Sequence, residues 1–214
     1  MTEYWHSFSP EANGFVFMWI LLITAGFMIA IAIERTYYLY LVSNIDVPKF
    51  MSQIRKLLAA KDLKQAITLC RKVQNKVLPR IILKGFLRLQ KAKGSKAEYF
   101  QNAVDEATLE VLPKLQNRTN YLAMIGNIST LIGLMGTIYG LILAFRSVSV
   151  PGIDAAQKST MLAHGISVAM NTTLTGLSIS IPSILIYTIL HNKTISIIDE
   201  IDEHTVKLIN ILSR

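Results

Sequence analysis

Between positions 171 and 180 the chain places Asn171, Thr172, Thr173, Thr175, Ser178 and Ser180 inside a stretch without a charged residue. Hydroxyl and amide groups can solvate a small ion or hold a chain of water, but they do not gain or lose protons near neutral pH. Thr130 and Thr137 repeat the pattern in an earlier uncharged stretch. A proton path built on these residues alone is incomplete, because no Asp, Glu, Lys or Arg stands at the centre of either stretch. His164, near one end, reads first as an interfacial side chain, and Glu34 as a partner of Arg35 or of a neighbouring subunit. If ions cross here, the titratable group has to come from another polypeptide. A carboxylate at mid-bilayer costs about 2.5 to 3.5 kcal/mol on insertion scales unless polar groups surround it. Hydroxyls such as those of Thr137 and Thr173 supply that setting. The single cysteine, Cys70, excludes an internal disulfide, and no Cys/His cluster has metal-ligand spacing.

The elements that must position these groups are membrane helices. Of the 214 residues, 51% are hydrophobic and 17% charged, too apolar for an ordinary soluble domain or a disordered chain. Uncharged runs fill 12–33, 119–145 and 159–192, each longer than the ~20 residues a helix needs to cross a bilayer core. The net charge of +8 comes from Arg35 to Arg118, which holds most of the 22 Lys/Arg and fewer than half of the 14 Asp/Glu. A basic block between two spans is what cytoplasmic retention of Lys and Arg produces. No stacking-aromatic pattern argues for nucleic acid.

Glu3 and Glu11 precede the first span without a Lys or Arg, so the N-terminus is expected outside the cytoplasm. The first span lacks the basic leader of a cleaved signal peptide and runs directly into Glu34-Arg35 and further cations. A short connection with Pro151 and Gly152 returns the chain for its third crossing. The expectation is an all-α polytopic membrane protein with three transmembrane helices, long cytoplasmic helical extensions and an N-out/C-in orientation. Its segments are an outer N-terminus 1–13, spans at 14–34, 120–146 and 162–191, a basic cytoplasmic region 35–119, an outer loop 147–161 and a cytoplasmic C-terminal helix 192–214.

Within the basic region, Asp62 is positioned to cap a helix carrying Leu63, Ala66, Ile67, Cys70 and Val73 on one face. Cys70 then reads as a packing residue. A second helix has Pro79 in its first turn and presents Leu78, Ile82, Phe86 and Leu89; Gly94-Ser95 separates it from a third. The third carries Phe100, Ala103, Val104, Ala107 and Val111, expected to face the membrane, with Pro113 as a kink rather than a stop. After the last span, Ile198, Ile201, Thr205, Leu208 and Leu212 keep a 3,4 spacing, with Asp199, Glu200, Asp202 and Glu203 largely opposite. The third span is therefore expected to continue as an amphipathic helix.

Small residues mark where membrane helices meet. Gly126, Thr130, Gly133, Thr137 and Gly140 form one stripe, with Gly136 beside it. In the third span Gly165, Ala169, Thr172, Gly176, Ser180 and Ser183 form another, with Thr173 alongside. Small residues let helices approach in lipid, and interhelical hydroxyl bonds contribute roughly 0.6 to 2 kcal/mol each. Packing accounts for the glycines; the excess of hydroxyls asks for a polar interior or another subunit. Ser167, Asn171 and Ser178 lie opposite the glycine stripe, so two faces of this helix are expected to meet protein or water.

The run IGLMGTIYGLILAF, Ile132 to Phe145, followed by HGISVAMNTTLTGLSISIPSILIY, His164 to Tyr187, resembles spans two and three of the MotA/TolQ/ExbB proton-channel family. Glu34-Arg35 and the segment DLKQAITLCRK extend the likeness over nearly the whole chain. Three spans are more similar to the ExbB/TolQ branch than to the four-span MotA branch. The resemblance implies a homopentamer in the bacterial inner membrane around a dimer of a single-span ExbD/TolR-type subunit, whose membrane Asp carries the proton. A TonB/TolA-like periplasm-spanning protein is a further implied partner. By position, Thr137 matches the threonine of the family's GT motif and Thr173 its pore threonine. Many ExbB members carry a glutamate five residues before that threonine, where this chain has Val168.

The reading is a non-enzymatic channel subunit of an ion-driven motor, without cofactor, in which H+ is the first choice and Na+ stays open. Its candidate ion pathway is Thr130, Thr137, Thr172 and Thr173. Its packing glycines are Gly126, Gly133, Gly136, Gly140, Gly165 and Gly176, and its cytoplasmic-end charge pair is Glu34 and Arg35. The competing reading is a non-conducting membrane scaffold that anchors cytoplasmic partners. A transporter with broken helices is disfavoured by the absence of an internal repeat.

Overall fold

The computed structural model describes residues 8–9, 14–42, 45–90 and 95–213. Glu3, Glu11 and Gly94 lie outside them. Among the described residues every regular element is helical: α1 Phe15–Tyr37, α2 Val47–Ala59, α3 Leu63–Lys72, α4 Val77–Leu89, α5 Lys96–Gln116, α6 Thr119–Ser149 and α7 Ala155–Leu212. A π-helical turn, Tyr38–Val42, extends α1. Three helical stretches, Phe15–Leu41, Lys96–Ser149 and Ala155–Leu212, are long and apolar enough to cross a membrane. In a bilayer only internal hydrogen bonding satisfies the backbone, which is why these Ile- and Leu-rich segments are helices. The chain divides into two compact units, Met1–Ile33 with Arg118–Thr188 and Glu34–Asn117 with Ile189–Arg214.

The first unit contains most of α1, all of α6 and the first part of α7. Phe27, Ile33, Leu131 and Phe145 are exposed, as expected for side chains that lipid or another subunit covers. α6 and α7 run antiparallel. Gly126 lies against Ser180 and Ile184, Gly133 against Thr172 and Gly176, and Gly140 against Gly165 and Ala169. As the α6 number rises, its α7 partner falls in step. α1 packs on another face of α7, where Thr175 Oγ1 lies 3.6 Å from Met18 Sδ. Phe17 meets Tyr139 of α6 with ring centroids 5.6 Å apart.

The second unit is built on capped amphipathic helices. Asp46 and Asp62 accept from the backbone N–H of Lys49 and Gln65 at 3.3 and 3.0 Å, starting α2 and α3. α2, not singled out by spacing above, buries Val47, Phe50, Met51 and Ile54. In α3, Ala66, Ile67 and Cys70 are buried as the periodicity predicts. Burial pushes the Cys70 thiol up to about 12, so it stays a protonated packing group.

α4 buries Leu78, Ile82, Phe86 and Leu89. The apolar face of α5 corrects the expectation that it turns to the membrane. Phe100, Ala103, Val104, Ala107 and Val111 are buried, and a Cβ at Gly85 of α4 would sit 2.5 Å from Phe100 and 3.0 Å from Val104. Phe86 and Phe100 meet at a tilt of 37° with centroids 5.4 Å apart. An apolar stripe seeks any matching surface, and α4 offers one. Glu110 of α5 fastens the pair from outside, bonded to Lys84, Arg80 and Lys114. The bonds from Lys84, foremost, and from Lys114 hold its carboxyl below the usual range. α5 continues through Pro113 and ends at Gln116, and Arg118, at φ 62°, separates it from α6.

The C-terminal part of α7 buries Ile201, Thr205 and Leu208, in line with the 3,4 spacing. Asp199, Glu200, Asp202 and Glu203 make this part costly to place in a hydrocarbon core. His204 Nδ1 is buried without a hydrogen-bond partner among the described residues. Burial lowers its pKa below the ordinary 6.5; Glu203 opposes the shift, Lys207 and Arg55 add to it, and Glu200 opposes it. The fold thus favours the neutral ring. Its contribution to stability is complete above the unfolded value of 6.5 and is lost as pH falls through the lowered folded value. Melting of the wild type is expected to fall more steeply than that of His204→Gln as the pH drops from about 6.5 to about 5. Parallel slopes for the two proteins would remove His204 from the account.

Candidate functional site

The antiparallel seam of α6 and α7 carries the hydroxyls that the sequence singled out, and it sorts them into two classes. Thr172 is 1% exposed. Its Oγ1 donates within its own helix, to the Ala169 and Val168 carbonyls at 3.0 and 3.1 Å. A Cβ at Gly136 would collide with its side chain. Thr172 is therefore a spacer sealed between the helices.

Thr130, Thr137 and Thr173 lie on the open margin of the seam. Thr130 is exposed, and Thr137 and Thr173 are half-buried. Thr130 Oγ1 donates across to Ser180 Oγ at 2.8 Å and to its own Gly126 carbonyl at 3.1 Å. Thr173 Oγ1 reaches the Gly133 carbonyl of α6 at 3.5 Å, and Thr137 Oγ1 donates to the Leu134 carbonyl at 2.6 Å. Positions seven apart sit on one helix face. The pairs Thr130/Thr137 and Thr173/Ser180 thus run as two facing rows, joined at one end by the Thr130–Ser180 bond. Each exposed hydroxyl oxygen keeps accepting capacity for a water, an ion or a proton donor.

The glycines make this spacing possible. A Cβ at Gly140 would lie 2.6 Å from Ala169 N and 2.7 Å from the Gly165 carbonyl, one at Gly165 would lie 2.6 Å from Ala144 N, and one at Gly176 would lie 2.6 Å from the Ser129 carbonyl. These contacts are with backbone, which cannot rotate away. Ser183 Oγ adds a cross-helix bond to the Leu122 carbonyl at 2.6 Å. Ser129 is a seam residue the sequence reading missed. It is fully buried, and its Oγ has no hydrogen-bond partner among the described residues. Its place three residues after Gly126 and four before Gly133 was the available signal.

Val168 points elsewhere. It is 7% exposed, and a Cβ at Gly14, where φ is +91°, would come within 2.8 Å of its Cγ1. The side chain at 168 therefore belongs to the contact with α1 and not to the threonine margin. An acid here would be buried against the start of α1. This contact and that of Thr175 with Met18 occupy a second face of α7.

Arg35 is 4% exposed. Its Nη2 donates to the carbonyls of Leu115 at 2.5 Å and Lys114 at 3.4 Å, and its guanidinium carbon lies 5.3 Å from the Tyr38 ring centroid. It caps the last turn of α5, a role that proximity to Glu34 did not suggest.

Residues 73–203 match the model of the MotA/TolQ/ExbB proton channel family. The chain belongs to that family. It is 35% identical over 112 residues to the putative biopolymer transport protein ExbB-like 3 of Synechocystis sp., covering 52% of each chain. It is 32% identical over 111 residues to the Tol-Pal system protein TolQ of Haemophilus influenzae, covering 51% of this chain and 40% of that one. The chain thus spans about half the length of these curated relatives, or less. A chain of C. jejuni MotAB shares the fold with a TM-score of 0.65 at 18% identity, over 94% of this chain and 77% of that one. As a MotA/TolQ/ExbB protein, the chain is a membrane protein of a channel family. The matched segment contains α6 and the part of α7 that forms the seam.

Proposed function

We propose that this MotA/TolQ/ExbB protein is the channel and stator subunit of an ion-driven motor in the bacterial inner membrane, oriented N-out/C-in. It forms a homo-oligomer, a pentamer by family likeness, around an ExbD/TolR-like single-span subunit. That partner supplies the membrane Asp, and H+ is the ion. Ion flow is converted into mechanical work on the envelope or on outer-membrane transport. The observation that carries the reading is the threonine margin: Thr130 is exposed and Thr137 and Thr173 are half-buried along the edge of a seam whose centre has no Asp, Glu, Lys or Arg.

The margin accepts hydrogen bonds from a protonated carboxyl or an ion's water and lowers the cost of holding either in the membrane. One elementary charge crossing 100 mV releases about 2.3 kcal/mol, more than an interhelical hydroxyl bond contributes. A few ions per step suffice to repack such contacts. With expression and assembly verified, Thr173→Val is expected to lower ion-driven activity. Losing a bond of ~0.6 to 2 kcal/mol corresponds to a drop of roughly 3- to 30-fold. Thr172→Val, whose hydroxyl is sealed inside the seam, is expected to leave the activity within about twofold. Equal activity of Thr173→Val and wild type in an ion-flux assay would refute a polar path at Thr173.

A further inference from the structure

The C-terminal part of α7 carries a second stripe, about a third of a turn around the helix from the one it buries. Ile195 is 43% and Val206 55% exposed, and between them Asp199 and Asp202 are exposed as well. Neither aspartate forms an ion pair among the described residues, whereas Glu110, Glu203 and Asp46 are each held by a cation of this chain. In the same unit, α2 and α3 leave a groove of about 450 Å³ between them. Leu57 and Leu69 line it with Gln53, Gln65 and Thr68, and Lys56 and Lys72 flank them. Both lysines are exposed and have no ion-pair partner among the described residues.

The two surfaces are complementary in kind. Aspartates at i and i+3 on a helix have their Cβ atoms about 5 to 6 Å apart on one face, here bracketed by two branched apolar side chains. The groove offers two ammonium groups beside two leucines. An amphipathic helix face laid into such a groove is a recurrent mode of recognition.

We infer that the Ile195–Asp199–Asp202–Val206 stripe docks in the α2–α3 groove of a second copy of this chain. This rests on the proposed ring-forming role and adds to it the cytoplasmic surfaces that join neighbours. Stripe and groove are different patches, so the contact is head-to-tail, the type that generates closed rings. A second copy covers both surfaces at once; an anionic lipid headgroup answers the lysines and leaves the acidic stripe bare.

The test uses two full-length copies with different tags, co-expressed and extracted in mild detergent, with recovery of one copy on the other as the readout. Asp199→Lys/Asp202→Lys in both copies, or Lys56→Glu/Lys72→Glu in both, is expected to cut recovery about tenfold, because like charges then face each other. Pairing one double variant with the other places opposite charges at every contact between unlike copies, all but one in a ring of five, and is expected to raise recovery well above that of either single-type mixture, which also shows that each variant folds. Unchanged recovery in the single-type mixtures, with a multimeric wild type, overturns the inference and leaves the motor reading intact. Failure of the complementary pair to raise recovery overturns it too. Loss of binding to phosphatidylglycerol vesicles by Lys56→Glu/Lys72→Glu with intact recovery assigns the groove to lipid and overturns it. A monomeric wild type overturns both this contact and the ring it rests on.

Discussion

Gly140→Ala is expected to destabilise the protein by about 1 to 3 kcal/mol, the usual cost of overpacking a close contact. A single methyl group does this because of what it meets. The added Cβ would stand 2.6 Å from Ala169 N, 2.7 Å from the Gly165 carbonyl and 2.9 Å from Ala169 Cβ. No rotamer change removes a backbone atom, so α6 and α7 have to separate. Separation strains the Thr130–Ser180 and Ser183–Leu122 bonds along the same seam. Gly26→Ala is the internal control, since nothing lies within 4 Å of a Cβ there. It is expected to be neutral or slightly stabilising, because alanine favours helix over glycine by ~1 kcal/mol. Melting of the detergent-solubilised protein, followed by the loss of its monodisperse peak, separates the two. If Gly140→Ala melts with Gly26→Ala, the helices are not in backbone contact.

Arg35→Ala is expected to cost a further 2 to 4 kcal/mol, roughly a charged hydrogen bond together with lost packing. The last carbonyls of a helix lack intrahelical donors, and Arg35 supplies one to Leu115 and Lys114 in a site where it is 4% exposed. A cation there also meets the negative end of the α5 dipole. Removing the side chain takes the donor from the buried Leu115 carbonyl and leaves an empty space beside Tyr38. Arg35→Lys keeps the charge but loses the planar fork, so it should recover only part of the stability. Proteolysis after Lys114 and thermal melting report on the two effects. Wild-type resistance of Arg35→Ala to both would show that the α5 terminus does not depend on it.

Many elements were legible because the determinants are local. Run length identifies three segments that must be helical if they cross a bilayer. Asp62 caps α3, and Pro79 sits in the first turn of α4. The buried faces of α3 and α4 and the burial of Cys70 follow from 3,4 spacing. The glycine stripes likewise announce a close helix pair, and the structure brings them together.

Assignments that depend on which segment covers which required the folded chain. The apolar face of α5 is plain in sequence, but only packing shows that Gly85 and Phe86 of α4 take it up. The four candidate threonines share one chemistry, yet Thr172 is sealed against Gly136 while Thr130, Thr137 and Thr173 stay at the open margin. Thr172 and Thr173 are adjacent, about 100° apart around the helix, and spacing alone does not say where the partner helix ends. Arg35 bonds to a carbonyl 80 positions away. Periodicity is a property of one segment and determines which face is apolar or small. What fills that face is settled by shape and hydrogen-bond supply among distant segments, and tertiary structure alone decides it.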